Sequence, residues 1–175
     1  MFYMARFIML LALAPACHAQ NVVRWSATTG NISLSAAGTT ATIQQPASGA
    51  DSMAADEVIE QIVVYCSQAC VATQYANGTA ATATTGTVTP LLPTPLNFQV
   101  PLNFFTSSNV GTGTQQGPAT NIGAGSTVVL CLAQTCLNGG NVTLGHGGGT
   151  AANWSVVIGS VTATVNITMI GHMVQ

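Results

Sequence analysis

The chain has no lysine, and two arginines stand against four acidic residues; charged side chains make up 3% of its 175 residues. Nucleic-acid binding draws its affinity from cationic side chains that displace counterions from phosphates, so this composition excludes a nucleic-acid partner. Aromatic residues are scarce too, at 6%. A transmembrane β-barrel needs two girdles of them and strands of ~10 residues, whereas Pro90, Pro93, Pro95 and Pro101 interrupt the middle of this chain. Beyond the N-terminus no apolar run reaches the ~18 residues of a membrane-crossing helix. No segment combines a 3.6-residue apolar period with helix caps. These absences leave an all-β chain with no transmembrane segment in its processed form.

What is present in quantity is apolar residues, 48% of the chain, followed by Thr, Ala, Gly, Asn and Ser. The surface must therefore be covered by uncharged hydroxyls and amides. Few charges of either sign do little to keep molecules apart, which favours assembly with copies of itself or with other cell-surface components. A length of 175 residues fits one domain with a substantial core.

Residues 1–19 carry one positive charge, Arg6, ahead of the apolar run Phe7 to Ala14. Cys17-His18-Ala19 then supplies the small residues at −3 and −1 that a signal peptidase accepts. The expectation is a signal peptide over 1–19, cleaved after Ala19, and a single secreted domain over 20–175. A lipoprotein signal acylated at Cys17 is the competing reading, but Pro15 sits where a lipobox wants a small flexible residue. Processing leaves Arg24 as the sole cation, facing Asp51, Asp56, Glu57 and Glu60.

Four cysteines remain after cleavage: Cys66, Cys70, Cys131 and Cys136. An even number in an exported chain reads as two disulfides. Pairing 66 with 70 and 131 with 136 is favoured because short loops close at low entropic cost. Cross-links between the two segments, and a four-thiolate zinc site, are the alternatives; the oxidising compartment and loose spacing count against zinc.

The stretch Val58 to Thr85 holds a β-branched apolar run, the first cysteine pair and Asn77-Gly78, which tolerates the positive φ of a two-residue hairpin turn. The sequence therefore predicts a hairpin meander here, with Thr82 to Thr85 returning beside Val71 to Tyr75. The apolar residues of Val58 to Tyr65 fall on both faces and predict a central strand. Further strands are predicted over 22–26, 32–36, 39–45, 126–132, 141–144, 154–158 and 160–169. In the last, Val161, Ala163, Val165, Ile167 and Met169 alternate with polar residues, the mark of a half-buried antiparallel strand. Gly111 to Gly117 reads as a flexible loop. The expected fold class is all-β: a single antiparallel β-sandwich, jelly-roll or Ig-like, of about nine to eleven short strands.

Chemistry is thinly represented. His146 lies in a glycine loop and His172 near the C-terminus, neither within a recognisable motif, and a hydrolase would need one of them to converge with one of the four acids. Gly123-Ala124-Gly125-Ser126-Thr127 lacks the second glycine of a nucleophile elbow. The acids Asp51, Asp56, Glu57 and Glu60 fit no calcium-loop spacing and read as solubilising charges. A glycan-binding module would stack sugar rings on exposed aromatics, with Trp25 and Trp154 as ligand-stacking candidates and Tyr75 and Phe105 behind them. Sequons begin at Asn31, Asn77, Asn141, Asn153 and Asn166. No catalytic residue, cofactor or metal ligand is assigned. The sequence points to an exported, non-catalytic structural or interaction protein, with a secreted carbohydrate-binding module as the alternative.

Overall fold

The computed structural model describes residues 22–34, 39–44, 56–76, 87–91, 103–107, 113–132, 142–144, 153–159 and 162–174. The signal peptide expected over 1–19, the Asn77-Gly78 turn, Cys136 and His146 lie outside the described residues. Within them the chain is all-β, every strand pairing is antiparallel, and there is no helix. The strands are β1 (Val22–Thr28), β2 (Ile32–Leu34), β3 (Thr39–Gln44), β4 (Asp56–Cys66), β5 (Cys70–Ala76) and β6 (Thr87–Pro90). They continue as β7 (Asn103–Ser107), β8 (Thr114–Ile122), β9 (Ser126–Leu130), β10 (Val142–Leu144), β11 (Asn153–Ile158) and β12 (Ala163–Val174).

Two sheets result. In the first, β4 and β12 form the long central pair. β1 and β2 lie in line along the other side of β12, β9 and β10 lie in line along the other side of β4, and β6 pairs outside β1. The second sheet has the order β7-β3-β11-β5-β8.

Side-chain alternation explains the first sheet. In β12, Ala163, Val165, Ile167, Met169 and Met173 are buried while Thr164, Asn166, Thr168 and His172 are half-buried on the opposite side. β1 repeats the pattern with Val23, Trp25 and Ala27 inside and Val22 and Arg24 exposed. β4 is central, as its apolar run implies. β11, between β3 and β5, is buried along its whole length, the polar Asn153 and Ser155 included, as befits a strand covered on both faces. One buried cluster draws on both sheets, taking Trp25, Ile62, Val64, Ile167 and Met169 from the first and Ala72, Val156 and Ile158 from the second. Each such side chain contributes ~1.5–3 kcal/mol on burial, set against the conformational entropy lost on ordering the strands.

The chain passes between the sheets at β4 to β5, at β8 to β9 and at β11 to β12, and these crossings meet at one end. Cys66 and Cys70 are joined by a disulfide across the first. The Gly125 amide donates to the Cys66 carbonyl at 2.9 Å, tying in the second. Ser67 N–H donates to the Thr164 carbonyl at 2.9 Å and the Thr164 amide to Ser67 Oγ at 2.7 Å. The Gly159 amide reaches the Val71 carbonyl at 2.7 Å, completing the attachment of the third crossing.

Two expectations are corrected here. The predicted hairpin would need a free edge on β5, but from Cys70 to Ala76 one edge is taken by β8 and from Ala72 to Ala76 the other by β11. The next described strand, β6, pairs with β1 in the other sheet. The disulfide therefore holds a corner between sheets and not a hairpin turn. The loop expected over 111–117 is also partly strand: β8 starts at Thr114, and the breakers Gly117 and Pro118 sit where its register with β5 shifts. An edge strand accommodates both, since φ of +70° suits glycine and an outward-facing proline forgoes no ladder bond.

Candidate functional site

Three ionisable side chains, Arg24, Glu60 and His172, converge at an irregularity in the first sheet. Ile170 pairs with Gln61 and Gly171 with Ile59, leaving Glu60 as an extra residue in β4. Such a bulge re-aims a side chain, and Glu60 turns to the face that carries His172 and Arg24, themselves cross-strand partners. Glu60 Oε1 is 2.7 Å from His172 Nδ1 and 3.8 Å from Arg24 Nη2. An ionised carboxylate only accepts, so Nδ1 is the donor in the short contact. The Glu60 and His172 side chains are 25% and 18% exposed, so their bond is partly shielded from water, whereas Arg24, at 56%, adds little more than a surface contact.

Gly171 makes the bulge possible. A Cβ there would fall on the Val58 carbonyl oxygen and come within 2.6 Å of Trp25 Cζ2. The Trp25 indole is packed over this glycine, completely buried, and its Nε1 has no hydrogen-bond partner.

Chemically, His172 and Glu60 amount to a base and the group that orients it. The sequence condition for a hydrolase, convergence of a histidine with an acid, is met by this pair. What the site lacks is a nucleophile: among the described residues no serine, threonine or cysteine hydrogen-bonds His172.

Along the same face runs a band of hydroxyls and amides bonded to one another. Thr168 Oγ1 donates to Thr28 Oγ1 at 3.2 Å, Thr28 Oγ1 reaches Asn166 Oδ1 at 3.3 Å, and Asn166 Nδ2 donates to Asn31 Oδ1 at 3.3 Å. The band follows a second irregularity, where Thr29, Gly30 and Asn31 stand opposite Asn166 and Ile167. Gly30 takes φ of +64° there. Thr29 carries the ladder across, donating its amide to the Ile167 carbonyl and accepting the Ile167 amide on Oγ1, both at 3.0 Å.

Both stacking candidates are inside. Trp25 is 0% and Trp154 6% exposed. Trp154 Nε1 donates to Gln74 Oε1 at 3.1 Å, and Gln74 Nε2 donates to the Cys131 carbonyl at 2.7 Å, a buried polar chain joining β11, β5 and the end of β9. Sugar stacking requires an exposed indole, and neither is offered; valines and isoleucines beside each tryptophan draw it into the core. Tyr75 is half-buried, and the Phe105 side chain lies outside the described residues.

No protein-family model, curated protein or solved structure matches this chain. The reading of its site rests on its own geometry.

Cys66 and Cys70, being oxidised to each other, are removed from any thiolate metal site. Cys131 is likewise in a disulfide, and its expected partner Cys136 lies outside the described residues. Of the four acids, Asp56, Glu57 and Glu60 belong to paired strand β4, not to the short loop that calcium coordination needs. Among the described residues no three His, Cys, Asp or Glu side chains gather as metal ligands. Of the sequons, Asn31 is exposed, Asn166 is half-buried and bonded to Asn31, and Asn153 is buried. Sequence reasoning named His172 and Glu60 without pairing them and missed the Gln74 bridge; both contacts join positions far apart in the chain. A signal for the first existed in Gly171, an isolated glycine inside a strand pattern.

Proposed function

We propose that this chain is an exported, non-catalytic structural or interaction protein of the cell exterior that assembles through uncharged surfaces. Its two sheets form a single disulfide-stapled β-sandwich of jelly-roll or Ig-like kind, the chain passing repeatedly from one sheet to the other over a shared core. The observation that carries this reading is how the polar groups of the first sheet are used. Arg24, Glu60 and His172 face one another, and Thr28, Asn31, Asn166 and Thr168 bond among themselves. Such a face is already satisfied, offers no convergent donors to a small ligand, and presents little charge to repel a neighbouring molecule. The His172–Glu60 pair serves as a clamp on the β4 bulge.

The test is expression of the full chain in an exporting host, followed by cell fractionation, N-terminal sequencing and sedimentation velocity over a range of protein concentrations. The reading expects an exterior protein beginning at Gln20 whose sedimentation coefficient rises with concentration. A cytosolic product, or a monomer at every concentration, overturns it.

A further inference from the structure

The sequons at Asn31, Asn153 and Asn166 lie within the described residues, and the fold treats their side-chain amides differently. Asn153 opens β11 opposite Gln44 and is 5% exposed, which leaves no room for a sugar. Asn166 sits inside β12 opposite Tyr65 and is half-buried. Its Oδ1 is met by Thr28 Oγ1 and Thr168 Oγ1, both at 3.3 Å, and its Nδ2 donates to Asn31 Oδ1. Asn31 has the opposite arrangement. It is exposed, it directly precedes β2 where Gly30 turns the chain, and Ser33, the hydroxyl residue of its sequon, is exposed as well. The turn is fastened from within: the Gly30 amide donates to Thr28 Oγ1 at 3.2 Å, and the Thr29 hydroxyl donates to the Gly30 carbonyl at 2.7 Å. Asn31 uses its Oδ1 as an acceptor, and among the described residues no group bonds its Nδ2.

We infer that Asn31 is a competent acceptor for an N-linked glycan when the chain is exported through a compartment that holds oligosaccharyltransferase, and that Asn153 and Asn166 are not. The inference rests on the exported reading above. Asn31-Ile32-Ser33 meets the sequence requirement, a hydroxyl residue two places on with no proline between. The sugar donor is a lipid-linked oligosaccharide. Transfer forms a bond from Asn31 Nδ2 to the anomeric carbon of the first sugar, breaks the bond from that carbon to the lipid pyrophosphate, and releases one amide proton. The atom that reacts is the one the fold leaves unbonded. Substitution at Nδ2 also leaves Oδ1 free to go on accepting from Asn166, so the glycan is added without loss of that contact. At Asn166 the nitrogen is already engaged and the side chain is hemmed in by two threonines. At Asn153 a glycan is incompatible with the buried start of a central strand. A bulky hydrated sugar beside the polar band suits a surface with few charges of its own.

The full chain, Asn31→Gln and Ser33→Ala are expressed in an insect or mammalian secretory host, with circular dichroism to confirm folding. Peptides spanning Asn31, Asn153 and Asn166 are each read by mass spectrometry after glycosidase release in heavy-oxygen water, which converts an occupied asparagine to labelled aspartate. The secreted wild type is expected to carry the label at Asn31 and not at Asn153 or Asn166, and each variant to lose that one glycan from its intact mass. Secreted, folded wild type with Asn31 bare overturns the acceptor assignment while the exported reading stands; label at Asn153 or Asn166 overturns the discrimination between sites. A chain retained in the cytosol without glycan overturns both the assignment and the exported reading. Ser33→Ala leaves the Asn31–Asn166 hydrogen bond in place, so it decides if Asn31→Gln fails to fold.

Discussion

Replacing Gly171 by alanine introduces one methyl group at the most crowded of the described glycines. The new Cβ lands on the Val58 carbonyl oxygen and lies 2.6 Å and 3.0 Å from Trp25 Cζ2 and Cε2. The carbonyl belongs to the β4 backbone beside the bulge, so it can yield only by disturbing the ladder with β12. The indole is fully buried and has no room to retreat. Overpacking ordinarily costs about 1–3 kcal/mol, and obstruction by backbone and a buried ring together places this case at or above about 3 kcal/mol. For a chain of this length that corresponds to a fall in Tm of about 6–12 °C. Urea unfolding should show a lower midpoint with the slope unchanged. A second arm separates the two obstructions. Trp25→Leu removes the ring but not the carbonyl, so Gly171→Ala combined with Trp25→Leu should be more stable than the sum of the single losses by about 1 kcal/mol, without full recovery. Gly171→Ala within about 0.5 kcal/mol of wild type would refute the packing argument.

Gln74→Leu leaves the buried Trp154 Nε1–H and the Cys131 carbonyl without their present partner, and should cost about 2–4 kcal/mol in urea unfolding; a loss below about 1 kcal/mol would show that the bridge is idle. The double replacement of Cys66 and Cys70 by alanine opens a loop closed across a sequence separation of four, worth about 2 kcal/mol, and should accelerate hydrogen exchange at the Gly125 and Thr164 amides before it affects β1. A double-mutant cycle of Glu60→Gln and His172→Gln should give a coupling of about 1 kcal/mol at a pH where the carboxylate is ionised. A coupling indistinguishable from zero would mean the pair does not clamp the bulge.

Much of the fold is legible in short-range pattern. The alternation through Val165, Ile167 and Met169, the apolar run of β4 on both its faces, and the close spacing of Cys66 and Cys70 each report a local constraint, and each corresponds to what is observed. The neighbours of β5 are a different matter. Asn77-Gly78 advertises a turn, but the edge beside it goes to β11, whose Trp154 pairs with Ala76. That competition is decided by burial of Trp154, Val156 and Ile158, and no local signal carries it. Gly117 and Pro118 likewise read as breakers because their cost in a central strand is high, yet at an edge the cost nearly vanishes. The clustering of Arg24, Glu60 and His172 depends on the β1–β12–β4 register and on one unpaired residue in β4. Residue types alone named the participants but could not bring them together.

The central claim, that a nearly uncharged exterior protein associates through its own surfaces, is tested most directly by sedimentation velocity of the processed chain at low and at high salt. The account predicts reversible growth with concentration that salt leaves unchanged or strengthens, since association through uncharged surfaces is not screened by ions. A single monomeric species under both conditions, or association abolished by salt, would contradict it.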